Sequence, residues 1–405
     1  MKVAAVIAEY NPFHNGHKYQ IDKIREILGQ DTAIVAIMSG NYTQRGELAI
    51  TDKTFRAAAA CECGVNLVLE LPFPFSMSSA EFFATAGVKI ADSLGIIDYL
   101  VFGSESGNIA ELADIAEIAS SEEFLLTFED ISASDSFKNK GYPEICETAI
   151  NRLYGKPVGS GFFSPNNILA LEYLKALRRE KSTIAPLTVS RVGAGYNDSL
   201  TIGTEFQSAS AIRAEFSLVG NSALEYVPNL AKNIFLSAKK EGKFPSHQSK
   251  LDTAVIASFR LNTQEASENY HDASGGLYNR LCDISAEVSS ISSLTSKTET
   301  KKYTKARIRR AIWNSYFGVT SSDVRANPAY TQVLAMDNIG RSLLKSIKKT
   351  AKIAIITKPS SYKDYDDEVI RQAELSHKAD SVYGLTLEVP NLGAFPLTFT
   401  PYVKK

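Results

Sequence analysis

The first hundred residues alternate between short, fully apolar runs and longer segments with helical spacing. Residues 3–8 form an apolar run that stops at Glu9. Residues 18–28 place Ile21, Ile24, Ile27 and Leu28 at the three- and four-residue spacing of one helix face. A second apolar run, 33–38, halts at Ser39-Gly40-Asn41. Residues 52–61 read as a helix, 66–71 as a third strand closed by Pro72 and Pro74, 78–94 as a helix and 99–102 as a fourth strand. Strands that are apolar throughout, separated by helices, predict a parallel sheet covered on both faces. Such sheets bind ligands at the carboxyl ends of their strands. The polar segments 9–17, 39–45, 71–76 and 103–105 all follow strands, so they are expected to converge on one crevice.

Helical patterns continue through 109–127, 142–153 and 166–179, and 187–191 reads as a fifth strand. Beyond about residue 213 the alternation fades. Segments 223–238, 251–260, 276–288, 304–317, 338–349 and 364–378 read as helices, with 353–357 as one further strand. The Ser-rich stretch 289–296 reads as a loop or a helix end. The expected class is therefore α/β: a Rossmann-like domain with a parallel sheet over residues 1–218, then a mostly α-helical C-terminal domain over 219–405. The length of 405 residues suits two or three domains at ~100–200 residues each.

Composition changes this picture little. Hydrophobic content of 44% and charged content of 22% are those of a globular chain. The net charge of −1 supplies no global pull on a polyanion, so any nucleic-acid site must be a local basic patch. Cys61, Cys63, Cys146 and Cys282 have no metal-ligand spacing, and no metal site is expected of them. Cys61-Glu62-Cys63 reads as a helix end. So few cysteines fit a reducing cytoplasm. The N-terminus enters a strand pattern rather than a signal peptide, and no apolar run reaches the ~18 residues needed to span a membrane.

The candidate chemistry lies in Ile7-Ala8-Glu9-Tyr10-Asn11-Pro12-Phe13-His14-Asn15-Gly16-His17-Lys18-Tyr19-Gln20, between the first strand and the first helix. Pro12 ends the strand, and Gly16 allows a ligand close to the backbone. His14 and His17, three apart, share one face of a starting helix. The N–H groups at a helix start suit phosphate. Two imidazoles there can donate hydrogen bonds to a phosphoryl group under attack, which is transition-state stabilisation rather than base catalysis. The plainer alternative is that both histidines cap the helix or fill a polar pocket. Against it, two of the chain's five histidines fall within four residues.

His14-Asn15-Gly16-His17 at a first strand–helix junction resembles the signature of the HxGH nucleotidyltransferase superfamily, which implies a Rossmann-like domain and transfer of AMP from ATP. The longer string from Ile7 to His17, with Met38-Ser39-Gly40-Asn41-Tyr42-Thr43-Gln44-Arg45-Gly46-Glu47, resembles the tRNA(Met) cytidine acetate ligase family. That resemblance covers most of the chain and is strongest over residues 1–215. It implies activation of acetate by ATP to acetyl-adenylate and pyrophosphate. Transfer of the acetyl group to N4 of the wobble cytidine of elongator tRNA(Met), with release of AMP, follows. ATP would bind through residues 7–20, Gly103, Asn167 and Arg191. Ser208-Ala209-Ser210-Ala211-Ile212-Arg213 is similar to the second superfamily motif, roughly Ser-x-Thr-x-Ile-Arg, which binds the leaving phosphates; here Ser210 stands where Thr is usual. Each position also has a plainer reading: a turn glycine at Gly103, helix N-caps at Asn167 and Ser208, a surface arginine at Arg191.

The candidate catalytic set is His14, His17, Arg45 and Ser210, with Arg45 pairing a carboxylate or phosphate. Mg²⁺ is expected to accompany the triphosphate. For tRNA, residues 301–322 hold six basic residues and no acid. Lys302, Lys305 and Arg309 share one helical face there, and Trp313 continues it. Such a face neutralises phosphates while an aromatic stacks on an unpaired base. Residues 341–352 add five basic residues. The plainer reading is a solvated helix face. Two other functions use the same crevice: a small-molecule adenylyltransferase acting on a phosphorylated precursor, and a non-catalytic nucleotide- and RNA-binding protein.

Overall fold

In the computed structural model, which describes residues 1–134, 142–155, 157–158, 162–190, 207–218, 222–261 and 269–405, Val3–Ala8 (β1) and Ala33–Ser39 (β2) lie parallel, from Val3 opposite Ala33 to Ala8 opposite Met38. Leu67–Leu71 (β3) extends this pair beyond β2. Tyr99–Ser104 (β4) pairs with the other edge of β1, and Ala185–Ser190 (β5) pairs with β4, again in parallel. The spatial order β3-β2-β1-β4-β5 reverses direction between β1 and β4. In open α/β sheets that reversal opens a crevice at the strands' carboxyl ends.

Among the described residues, seven α-helices lie between these strands in the chain: Asn15–Leu28 (α1), Lys53–Glu62 (α2), Ala80–Leu94 (α3), Ile109–Ile118 (α4), Glu122–Ala133 (α5), Tyr142–Tyr154 (α6) and Pro165–Arg179 (α7). Alternate strand residues supply two cores. Val3, Ala5, Ile7, Val35 and Ile37 pack with α3, α4 and α7; Ala4, Val6, Ile34, Ala36 and Met38 pack with α1 and α2. Burial on both faces is why these strands read as continuous apolar runs. The pattern at 109–127, expected as one helix, is two, because Ser121 caps a new start by accepting the Phe124 N–H at 3.1 Å. Cys63 is the C-cap of α2.

The second half is built from Ala209–Leu218 (α8), Asn229–Lys240 (α9), Asp252–Leu261 (α10), Leu277–Ser285 (α11), Ile291–Thr298 (α12), Lys305–Phe317 (α13) and Ser321–Arg325 (α14). Then follow Tyr330–Met336 (β6), Asn338–Thr350 (α15), Ala354–Ile356 (β7), Asp367–Tyr383 (α16), Phe395–Thr398 (α17) and Tyr402–Val403 (β8). The Ser-rich stretch forms α12, capped by Ser290 and anchored by buried Ile291 and Leu294. β6 pairs antiparallel with β3, while β7 and β8 pair with β6. The sheet therefore crosses the boundary expected at 218/219. β6 escapes the apolar pattern because Thr331 and Gln332 are buried within it; the Thr331 hydroxyl donates to the Glu70 carbonyl at 2.6 Å. A third core joins α10, α11, α13 and α16 to Tyr42, Leu48 and Phe73 from the loops after β2 and β3. Among the described residues no helix is long and apolar enough to cross a membrane.

Candidate active site

His14 is the N-cap of α1, in extended backbone. Its Nδ1 accepts the Gly16 N–H at 3.1 Å, and the Nδ1 of His17 accepts the His14 N–H at 3.2 Å. The two rings stack with centroids 3.8 Å apart. An Nδ1 that accepts a backbone N–H carries no proton, so in each neutral ring the proton sits on Nε2. Capping and phosphate recognition are thus compatible: Nδ1 closes the helix start, and the proton of each ring is carried on the other nitrogen, Nε2. Gly16 has a different reason from the one its position suggested. A Cβ there would stand 2.9 Å from Cε1 of His14, so glycine makes room for the imidazole rather than only for a ligand. Tyr10 and Phe13 support the pair from behind, Tyr10 lying edge-on to His17 at 4.9 Å and tilted against Phe13 at 4.9 Å. Tyr10 takes φ +46°, a left-handed conformation uncommon outside glycine.

These groups face a cavity of about 420 Å³ at the β1/β4 reversal. Ile7, Ala8, Glu9, Tyr10, Asn11, His14, Gly16, His17, Tyr19 and Gln20 line it on one side, and Gly103, Val189 and Ser190 at the ends of β4 and β5. Phe83, Phe102, Leu169 and Tyr173 form an apolar wall. Pro12, Phe13, Asn15 and Lys18 are not part of this lining; Phe13 is fully buried, and Lys18 pairs with Asp22 at 2.5 Å on the surface. Asn166 lines the cavity and Asn167 does not. The Asn167 side chain instead accepts the Glu105 N–H at 2.9 Å, fixing the turn after β4. Ser208 lines the cavity and caps α8 by accepting the Ala211 N–H at 3.2 Å. Its hydroxyl lies 3.1 Å from that of Ser210. Ser210 and Arg213 line an adjoining polar cleft. Arg191 lies outside the described residues.

The loop after β2 brings Gln44 and Arg45 to the cavity. Arg56 builds its base: fully buried, it donates to the carbonyls of Thr51, Glu9, Ser39 and Gly40. The second half holds the rest of the loop. Asn41 donates to Asp380 at 2.9 Å, Tyr42 to the Ala379 carbonyl at 3.2 Å, and Arg310 to the Gln44 carbonyl at 3.3 Å. Gly46 has φ +71°, and a Cβ there would meet the Arg310 nitrogen at 2.6 Å, so the loop packs directly on α13. Glu47 bridges Arg213 at 2.7 Å and Arg309 at 2.6 Å. Sequence reasoning missed Arg56 and Glu47. A lone arginine in the apolar stripe of α2 was the available signal for the first; the second has no local one.

The sequence profile of the HIGH nucleotidyl transferase family matches residues 1–392. The tRNA(Met) cytidine acetate ligase of Caldanaerobacter subterraneus subsp. tengcongensis is 36% identical over 98% of both chains. That of Acetivibrio thermocellus is 34% identical over 96% of both. The chain belongs to the tRNA(Met) cytidine acetate ligase family. Its fold is that of Thermotoga maritima TmcAL: the apo crystal structure superposes with a TM-score of 0.91 at 30% identity, covering 100% of this chain and 99% of that one. A second form, bound with alpha-thio ATP, superposes with a TM-score of 0.89 at 29% identity over 100% of both chains.

In this member of the tRNA(Met) cytidine acetate ligase family the basic segment differs from its sequence reading. Trp313 is fully buried and donates from Nε1 to the Gly46 carbonyl at 3.2 Å, so it supports the loop and offers no base-stacking surface. Lys302 precedes α13 rather than sharing its face. Its ammonium donates to the Gly275 carbonyl at 3.1 Å, Lys305 stands 3.4 Å from Glu299, and Arg309 is held by Glu47. Lys302 and Lys305 are exposed; Arg309 is half-buried at the rim of the polar cleft. On α15, Leu343, Leu344 and Ile347 are buried while Arg341, Lys345, Lys348 and Lys349 face outward, away from the cavity lining.

Proposed function

We propose that this chain activates acetate with ATP and passes the acetyl group to N4 of the wobble cytidine of elongator tRNA(Met), releasing pyrophosphate and then AMP. The observation that carries the reading is the stacked His14–His17 pair, both Nε2–H donors set at a helix start in the switch-point cavity. Acetate oxygen attacks the α-phosphorus while pyrophosphate leaves in line. This step needs positioning and charge stabilisation more than covalent help. His14, His17 and the N–H groups opening α1 serve the phosphoryl oxygens. Ser208, Ser210 and Arg213 receive the leaving phosphates, and Arg45 draws the acetate carboxylate. Residues 7–20, Gly103 and Arg191 hold the nucleotide, with Asn167 shaping the turn against it. Lys302, Lys305 and Arg309 neutralise tRNA phosphates, and a tRNA substrate implies work in the cytoplasm.

Among the described residues no group of three or more His, Cys, Asp or Glu side chains could hold a metal. The described residues do not form a Mg²⁺ cage, and Mg²⁺ would arrive with the triphosphate. The decisive experiment supplies labelled acetate, ATP and total tRNA, and follows ATP–pyrophosphate exchange alongside. Acetate-dependent exchange and label in elongator tRNA(Met) are expected. Exchange that requires another substrate, or ATP binding without exchange, overturns the proposal.

A further inference from the structure

The second half-reaction needs a proton acceptor. The cytosine amino group that attacks the acetyl carbon carries two hydrogens and loses one as the amide forms. The histidines are poorly placed to take it. Each uses Nδ1 to accept a backbone N–H and carries its own proton on Nε2. The phenols of Tyr10 and Tyr173 are pushed above their ordinary value by burial and stay protonated. Arg45 is a permanent cation.

Glu9 is the only carboxylate lining the cavity among the described residues. It stands at the end of β1, and its position is fixed twice. Its carbonyl accepts from Nη1 of Arg56 at 2.7 Å, and its Oε1 accepts the Gln44 N–H at 2.8 Å. Its Oε2 accepts no hydrogen bond from a described residue. Burial raises the Glu9 carboxyl above the usual carboxylate range. The Gln44 amide, Arg213 and Arg45 work against that shift, and Glu47 adds to it. Arg56 and Tyr173 complete the groups that face it. An acceptor tuned toward neutral pH is what general base catalysis favours.

We propose that Glu9 accepts the proton from N4 of the target cytidine during acetyl transfer. The inference rests on the ligase reading above. N4 attacks the carbonyl carbon of acetyl-adenylate, the new C–N bond forms, and the C–O bond to the phosphate breaks. The electron pair leaves with AMP, and the N4 proton passes to the Glu9 carboxylate, which returns it to water after the products depart. The same contact selects the base. A carboxylate accepts from the amino group of cytosine and faces the carbonyl O4 of uracil unfavourably.

The test separates the two half-reactions in the full-length enzyme. Glu9→Gln keeps the oxygen that accepts from Gln44 but removes the base. Single-turnover transfer from preformed acetyl-adenylate to tRNA(Met) is expected to fall by ~10²–10⁴-fold, well beyond any loss in acetate-dependent ATP–pyrophosphate exchange. Glu9→Asp should recover part of the transfer rate. Wild-type transfer should rise with pH through the Glu9 titration and level off above it, with that limb gone in Glu9→Gln. Transfer by Glu9→Gln at the wild-type rate, or equal losses in both half-reactions, overturns the assignment. A wild-type transfer rate independent of pH does so too, without relying on any variant's folding. Absence of acetate-dependent exchange in the wild type sinks the ligase reading instead, and is seen before transfer is measured.

Discussion

Lys53, at the start of α2, lies 2.5 Å from Asp380 on α16, although 327 residues separate them. Its ammonium also meets Glu70 on β3 at 2.6 Å, and all three side chains are buried. Asn41 joins the group, donating to Asp380 and accepting the Lys53 N–H at 2.7 Å. The network therefore anchors the loop that carries Arg45. Removing one partner from a buried ion pair costs about 3–5 kcal/mol, because the other charges stay buried and unpaired. Lys53→Met is expected to lose stability on that scale in denaturant unfolding, and to lose exchange activity under conditions where it remains folded. A variant as stable as the wild type would show that the network contributes nothing to the fold.

Two carboxylates share one ammonium here, and burial with the nearby Asp380 raises Glu70 from the ordinary 4.5 to about 7. A raised folded-state value means the fold binds the proton more tightly than the unfolded chain does. Its contribution is fully present below about 4.5 and is lost as pH rises through about 7. His377, pushed down to about 3 by burial, acts in the opposite sense, its penalty growing as pH falls below 6.5. Glu70→Gln isolates the first effect. The stability difference, wild type minus variant, should decline from pH 4.5 to above 7. Thermal melts of both proteins across this range check it, and a difference that is flat or rising contradicts the assignment.

How far the site was legible depended on how far apart its parts lie in sequence. His14 and His17 sit in four residues beside a strand end, so their proximity was readable, and the helix-capping alternative is seen directly at the start of α1. The parallel strands were readable because both of their faces are buried. The support of the loop at 39–52 was not, since it comes from Trp313, Arg310 and Asp380, and no local pattern encodes a contact across more than 260 residues. Residues 301–310 show the cost of reading composition alone. A run free of acids looks like a phosphate-binding face. Yet Arg307 caps the carbonyls of Asp272 and Ser274, and Arg310 pairs with Asp272 at 2.7 Å.

Trp313 gives the clearest contrast between support and recognition. If it held a tRNA base, replacing it would weaken tRNA binding and leave acetate-dependent exchange untouched. Its burial against Tyr42 and Phe317, and its bond to the Gly46 carbonyl, predict the reverse. Trp313→Ala should destabilise the protein by about 3–5 kcal/mol. Trp313→Phe keeps most of the packing but drops the bond beside Arg45, and should reduce exchange as well as transfer. Exchange kinetics and thermal melts of the two variants check this; a defect confined to tRNA affinity would restore the stacking role.

Glu47 bridges the proposed pyrophosphate site and the proposed tRNA site, holding Arg213 with one oxygen and Arg309 with the other. The three side chains are 18–33% exposed, so the bridge itself should contribute no more than about 1 kcal/mol to stability. Its value lies in position, and its two ends should respond differently. Arg213 also donates to the Asn11 carbonyl at 2.9 Å, inside the proposed nucleotide-binding segment. Glu47→Gln loosens the charged grip on Arg213 and is expected to raise the KM for ATP in exchange. Arg309→Ala breaks the same bridge from the side of α13. It should affect exchange less than tRNA binding, and lower the slope of log affinity against log salt by ~0.7–0.9, the contribution of one phosphate contact. Exchange kinetics and tRNA binding over a salt series measure both arms. If Arg309→Ala leaves the salt slope unaltered, Arg309 serves only to hold Glu47, and the tRNA phosphates must be met by Lys302 and Lys305.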